Sequence, residues 1–93
     1  SRSPVATAGT YTVTKYAIRG LTQVLREELR PFGVKVTEII PGSTRTASWQ
    51  GTTIPDERFV LPEDIAQAVL TSLAVSAGAG MEEIRITPTY GNI

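Results

Sequence analysis

Tyr11 and Lys15 stand four residues apart, and on a helix that spacing puts both side chains on one face. A free phenol has a pKa of about 10, too high to trade protons readily near neutrality. An ammonium group beside it favours the phenolate and brings that value down. A Tyr–Lys pair at this spacing can therefore exchange a proton with the oxygen of an alcohol or a carbonyl. Taken alone, the pattern is more simply a core or surface Tyr with a solvated Lys, because it is common by chance.

A second group of residues follows. The segment Pro41-Gly42-Ser43-Thr44-Arg45-Thr46 comes directly after a β-branched run. In open α/β sheets, ligands bind beyond the carboxyl ends of the strands. Pro41 and Gly42 let the backbone turn close to a ligand, and the Thr hydroxyls that follow can donate or accept. An ordinary strand-ending turn would have the same composition. Residues 43–60 then show no sustained period and hold Trp49, Ile54 and Phe59 among Thr, Ser, Gly and Pro. An irregular segment of that length is often functional, for example a lid over a site.

Helices and strands must hold these groups in place. Residues 1–10 are rich in Ser, Thr, Gly and Pro and read as a loop, with Thr10 a candidate N-cap. Ala17, Leu21, Val24, Leu25 and Leu29 recur at helical spacing and predict a helix over 11–31. Pro31 and Gly33 stop it, the latter suiting a left-handed cap. Gly20 inside this helix costs about 1 kcal/mol relative to Ala, which suggests close approach of a neighbouring backbone or a tolerated defect. Val34–Ile40 predicts a strand. Pro62, with Glu63 and Asp64 behind it, opens a second helix over 62–77. Its apolar side is Ile65, Val69, Leu73 and Ala74 or Val75, and Gly78-Ala79-Gly80 ends it. Residues 83–87 alternate and predict a last strand. The order helix–strand–helix–strand implies a βαβ unit with parallel strands, hence an α/β fold. Two strands and two helices cannot cover both faces of such a sheet, so the unit calls for more sheet beside it.

Composition narrows the chemistry. The chain has 93 residues, which suits one small domain. Its 41% hydrophobic and 19% charged residues place it in the globular class. Nine basic and nine acidic side chains cancel, so no long-range field favours nucleic acid or an anionic membrane as partner. With no Cys and no His, disulfides, the common zinc sites and histidine-based hydrolytic triads are excluded, and no metal is expected. No apolar run approaches the roughly 20 residues of a membrane helix. The start shows no charged-then-apolar signal pattern, and a cytoplasmic location is the default expectation.

Taken together and in order, these segments resemble the short-chain dehydrogenase/reductase family. Y-T-V-T-K at 11–15, the helix A-I-R-G-L-T-Q-V-L-R-E-E-L, and then G-V-K-V-T-E-I-I-P-G-S-T-R-T are similar to its Y-x-x-x-K motif, its following helix and its P-G-x-x-x-T cofactor loop. L-P-E-D-I-A-Q-A-V-L and E-I-R-I-T-P resemble its last helix and last strand. The resemblance covers nearly the whole chain. It implies the C-terminal part of a Rossmann-like, doubly wound parallel sheet in an NAD- or NADP-dependent oxidoreductase acting on a small carbonyl or alcohol substrate. Tyr11 would be the catalytic acid–base. Lys15 would favour its ionised form and bond the nicotinamide ribose. Pro41, Gly42, Ser43 and Thr44 would approach the nicotinamide, largely through backbone. Thr46 would bond its carboxamide or the phosphate side of the cofactor. Residues 43–60 would form the substrate lid, with Trp49, Ile54 and Phe59 as apolar walls or as packing residues.

The departures from the family pattern carry expectations too. The glycine-rich dinucleotide loop (T-G-x-x-x-G-x-G), the residue that selects NAD or NADP, and the N-A-G segment with its relay Asn do not occur here. The family Ser lies about a dozen residues before the Tyr, a position that falls just before residue 1; Ser1 and Ser3 sit slightly too close, so that Ser is expected to be missing, with Ser3 the second choice. The chain opens on Ser1-Arg2-Ser3-Pro4 without Met and so reads as a fragment, whose parent would be the enzyme and which alone would be inert. The alternative is a non-catalytic remnant acting as an association module. An unpaired strand edge is a template for another chain, so a homo-oligomer is expected.

Overall fold

The computed structural model describes residues 4–93, with side chains from residue 9 onward except that of residue 48. Ser1 and Ser3, the candidates for the family Ser, lie outside the described residues. The chain divides into a first unit running to Val36 and a second, Thr37–Ile93.

The first unit is built on one long helix, α1, Pro4–Leu29. It begins well before the expected start at Tyr11, so residues 4–10 are not a loop and Thr10 is not a cap. Pro4 falls at the first helical position, where its missing N–H costs nothing and its fixed φ suits the helix. The Ser/Thr/Gly-rich segment is weakly helical rather than helix-breaking, and a formed helix propagates through it. Thr10 instead offers its carbonyl to the Thr14 hydroxyl at 3.0 Å. At the other end, α1 tightens into a 3-10 turn over Arg30–Phe32. Gly33 follows with φ 71°, the left-handed cap expected of it, and its N–H donates to the Arg30 carbonyl at 3.0 Å. Apart from its own helix backbone, nothing among the described residues lies within 4 Å of where a Cβ on Gly20 would stand, so no close backbone approach among them explains that glycine.

In the second unit, strand β1 (Glu38–Pro41) pairs in parallel with β2 (Glu83–Ile86), in the register Glu38 with Glu83 and Ile39 with Ile84. The fold is α/β, as the element order implied. The strand is shorter than the expected 34–40, because β2 gives ladder partners only from Glu38 onward. Before that point Thr37 donates its hydroxyl to the Met81 carbonyl at 2.6 Å. β2 likewise stops at Ile86, one residue short of the expected end.

Helix α2 (Pro62–Ala74) connects the strands and packs on β1. Its entry is fixed by Asp64, whose Oδ2 accepts the Leu61 N–H at 2.8 Å. It ends at Ala74 rather than at residue 77, since Val75 turns extended (φ −69°, ψ 158°) before the glycines are reached. Its inward side is Ile65, Ala68, Ser72 and Val75, all half-buried. Val69 and Leu73, expected on that side, are exposed. A two-stranded sheet is too narrow to cover a whole apolar helix face. Ile40, Phe59 and Val60 form the small buried apolar centre of the unit. No helix among the described residues is long and apolar enough to cross a membrane.

Candidate active site

Tyr11 lies in the second turn of α1, one turn before Lys15. The helical spacing brings the two side chains together: the Lys15 ammonium sits 5.4 Å from the centroid of the Tyr11 ring. That is a cation–π contact, favourable because the ring face carries negative charge. Lys15 has no carboxylate partner, and the Tyr11 hydroxyl no hydrogen bond, among the described residues. Tyr11 is 62% exposed. The pair lines a shallow surface depression with Thr12, Tyr16 and Arg19, all from the same helix. A phenol and an ammonium are thus presented side by side on a rigid element with their polar ends open to a ligand.

The Pro41–Thr46 loop leaves the carboxyl end of β1. Pro41 has no N–H to give. Gly42 donates its own to the Ile86 carbonyl at 2.7 Å, extending the ladder by one bond. The Ser43 N–H goes to the Asn92 side-chain oxygen at 2.9 Å. The Arg45 N–H goes to the Val60 carbonyl at 2.8 Å. Between them, the Thr44 N–H has no partner among the described residues. The Thr44 hydroxyl turns back onto the Gly42 carbonyl at 2.9 Å. The loop therefore presents one backbone donor from a frame in which its neighbours are all engaged. The Thr46 carbonyl accepts the Trp49 N–H at 3.0 Å and opens the next turn, while its side chain is exposed.

The segment between Ser43 and Val60 is a closed loop with a pinned base. Val60 donates to the Ser43 carbonyl at 2.8 Å, and Thr44 and Val60 form an isolated parallel bridge. Two 3-10 turns, Ala47–Trp49 and Asp56–Arg58, give it local structure that no sequence period announced. Trp49 and Phe59 meet edge to face at 5.1 Å. Arg45 clasps the loop from inside: Nη1 donates to the Trp49 carbonyl at 2.6 Å, Nε lies 3.3 Å from Asp56 Oδ1, and the guanidinium sits over the Phe59 ring. Phe59 is 5% exposed, so its ring fills the loop interior, whereas Trp49 and Ile54 stay half-buried.

The structure thus brings Tyr11 and Lys15 together on α1 in the first unit and holds Pro41, Gly42, Ser43, Thr44 and Thr46 on one loop in the second. Residues 1–56 match the model of the short chain dehydrogenase family. The chain belongs to that family. An uncharacterised oxidoreductase of Staphylococcus aureus (strain MW2) is 40% identical over 78 residues, covering 84% of this chain and 34% of that protein. An uncharacterised oxidoreductase of Staphylococcus epidermidis (strain RP62A) is 36% identical over 85 residues, covering 91% of this chain and 37% of that protein. The crystal structure of a β-ketoacyl-[ACP] reductase (FabG) from Bacteroides thetaiotaomicron superposes with a TM-score of 0.78 at 30% identity, over 89% of this chain and 37% of that one. The chain spans about a third of the length of these short-chain dehydrogenase relatives, and its likeness to the reductase places it within a Rossmann-like sheet.

Two residues that the sequence did not single out take part in the candidate site. Arg45 looked like one polar residue in a polar loop, and its role depends on where Trp49, Asp56 and Phe59 come to lie. Asn92 sits in a tail with no period, nearly fifty residues from the loop it touches, a separation of the kind no local pattern reports.

Proposed function

We propose that this chain supplies the proton-handling and nicotinamide-facing residues of an NAD- or NADP-dependent oxidoreductase that interconverts a small carbonyl compound and the alcohol. The observation that carries the reading is the Tyr11–Lys15 pair, placed side by side on α1 with, among the described residues, no hydrogen bond to the phenol hydroxyl and no carboxylate partner for the ammonium. In reduction, the Tyr11 hydroxyl gives its proton to the carbonyl oxygen as the C–O bond gains electron density; in oxidation, the phenolate takes the alcohol proton. Lys15 holds its positive charge over the Tyr11 ring, 5.4 Å from the centroid, and offers three donors to the ribose hydroxyls.

The residues present fit a nicotinamide. The Thr44 N–H, without a partner among the described residues, is an amide donor of the kind a carboxamide oxygen accepts. Thr46, exposed at the end of the loop, serves as a hydroxyl donor on the carboxamide or the phosphate side. The nicotinamide, when bound, supplies the hydride. Trp49 and Ile54 offer apolar surface to a substrate, and Phe59 holds the loop that carries them.

A longer cytoplasmic protein carrying this segment would be the enzyme, and the 93-residue chain alone would not turn over. We also place an oligomer contact here: Leu21, Val24 and Leu25 are exposed on α1, and the outer edges of β1 and β2 have no strand partners among the described residues. That observation equally supports the reading of a non-catalytic association module.

Dinucleotide binding separates the two readings. Titration of NADH and NADPH into the full-length polypeptide, followed by fluorescence, should saturate, and Lys15→Met should weaken binding by about tenfold, as for loss of charge-assisted hydrogen bonds. No saturation with either dinucleotide would leave the association module as the reading.

A further inference from the structure

We infer that Asn92 is a positioning residue: its side-chain oxygen latches the Gly42–Ser43 peptide and, together with the Val60 N–H on the Ser43 carbonyl, holds the direction in which the neighbouring Thr44 N–H points. The inference rests on the proposed role of that N–H toward a nicotinamide carboxamide.

Gly42 is the weak point of the loop, because a residue without Cβ has the widest choice of φ and ψ. Rotation there turns the Gly42–Ser43 peptide plane and, through Ser43, redirects the Thr44 N–H. On the far side of Thr44 the backbone is held by the Arg45–Val60 hydrogen bond. On the near side the Gly42 N–H is held by Ile86, the Gly42 carbonyl accepts the Thr44 hydroxyl at 2.9 Å, and the Ser43 carbonyl accepts the Val60 N–H at 2.8 Å; the N–H of the Gly42–Ser43 peptide is held by the tail. Asn92 Oδ1 accepts the Ser43 N–H at 2.9 Å and faces the Ser43 hydroxyl at 3.4 Å. That hydroxyl oxygen in turn accepts the Ile93 N–H at 3.0 Å, so loop and tail are tied from both directions.

The tail is shaped for this contact. Pro88 is buried. The Gly91 N–H closes a turn onto the Pro88 carbonyl at 3.0 Å, and Gly91 takes φ 91°, which an L side chain would resist. The turn aims Asn92 back at the loop. A Cβ on Gly42 would overlap the Asn92 oxygen and stand 3.0 Å from Pro88 Cδ. The glycine is therefore needed for the tail to lie against the loop, and the tail restrains the freedom that the glycine brings.

Asn92 works as an acceptor here, so a carboxylate oxygen can replace it and a methyl group cannot. In the full-length polypeptide, Asn92→Ala should speed hydrogen exchange at the Ser43 amide and raise the dissociation constant for the dinucleotide about five- to tenfold, the span of one lost hydrogen bond. Asn92→Asp should keep both within about twofold of wild type. Rescue by Asp separates a latch from mere packing, because Asp retains the acceptor and Ala does not. If wild type binds dinucleotide and the Ala and Asp variants match each other in both readouts, the latch is overturned while the functional reading stands. If Ser43 exchange rises in the Ala variant with no change in affinity, the tail holds the loop but does not position a ligand donor, and the inference fails. A wild type that binds no dinucleotide overturns the functional reading and this role together.

Discussion

Phe59→Ala tests how the loop between Ser43 and Val60 is held. Phe59 is 5% exposed and is buried in the second unit with Ile40 and Val60. Phe→Ala in a packed interior costs about 3–5 kcal/mol, the upper values belonging to sites that cannot collapse. Here Trp49 stands at 5.1 Å and is half-buried, so it can move into part of the space, which argues for about 3 kcal/mol. The cation–π contact from Arg45 is lost as well and falls within that figure. The loop can open without the whole unit unfolding, and the loss should appear first as local opening. Val60 and Arg45 report it, since their N–H groups form the 2.8 Å bonds at the loop base. At about 1.4 kcal/mol per factor of ten, their exchange protection should fall roughly 100-fold. Trp49 emission should shift to the red in the same variant. Protection lowered less than about threefold would refute the account, because the buried ring would then contribute little to closing the loop.

Other substitutions test the elements that carry the site. Gly20→Ala on α1 meets open space and should stabilise the helix by up to about 1 kcal/mol, read as a higher denaturation midpoint. Gly33→Ala should destabilise by about 1 kcal/mol in the same assay, because a Cβ is strained at φ 71° whatever the space around it. Asp64→Ala removes the acceptor of the Leu61 N–H at the start of α2 and should cost about 1 kcal/mol, measured by urea unfolding.

The chemical groups were the most legible part of the sequence. Tyr11 and Lys15 are linked by helical spacing alone, and the helix that sets their spacing is α1 itself. Gly33 was legible for the same local reason, since a helix end needs a left-handed residue. The boundaries were less so. Pro4–Thr10 joined the helix because small polar residues resist a helix only weakly, and Val34–Thr37 fell outside the strand because strand length depends on a partner far along the chain. Val69 and Leu73 point outward because the face that α2 buries is set by the width of the sheet. Arg45 and Asn92 were hidden for the same reason: each acts on residues that only the fold brings near.

The central claim is that Tyr11 moves the proton. The direct measurement is steady-state reduction of a small carbonyl panel by the full-length polypeptide, wild type against Tyr11→Phe, with dinucleotide affinity measured alongside. Phe keeps the ring that Lys15 packs over and removes only the hydroxyl. The account predicts turnover reduced by about 10²- to 10⁴-fold with dinucleotide affinity nearly unchanged. Turnover within about twofold of wild type would contradict it, since the proton would then come from another group.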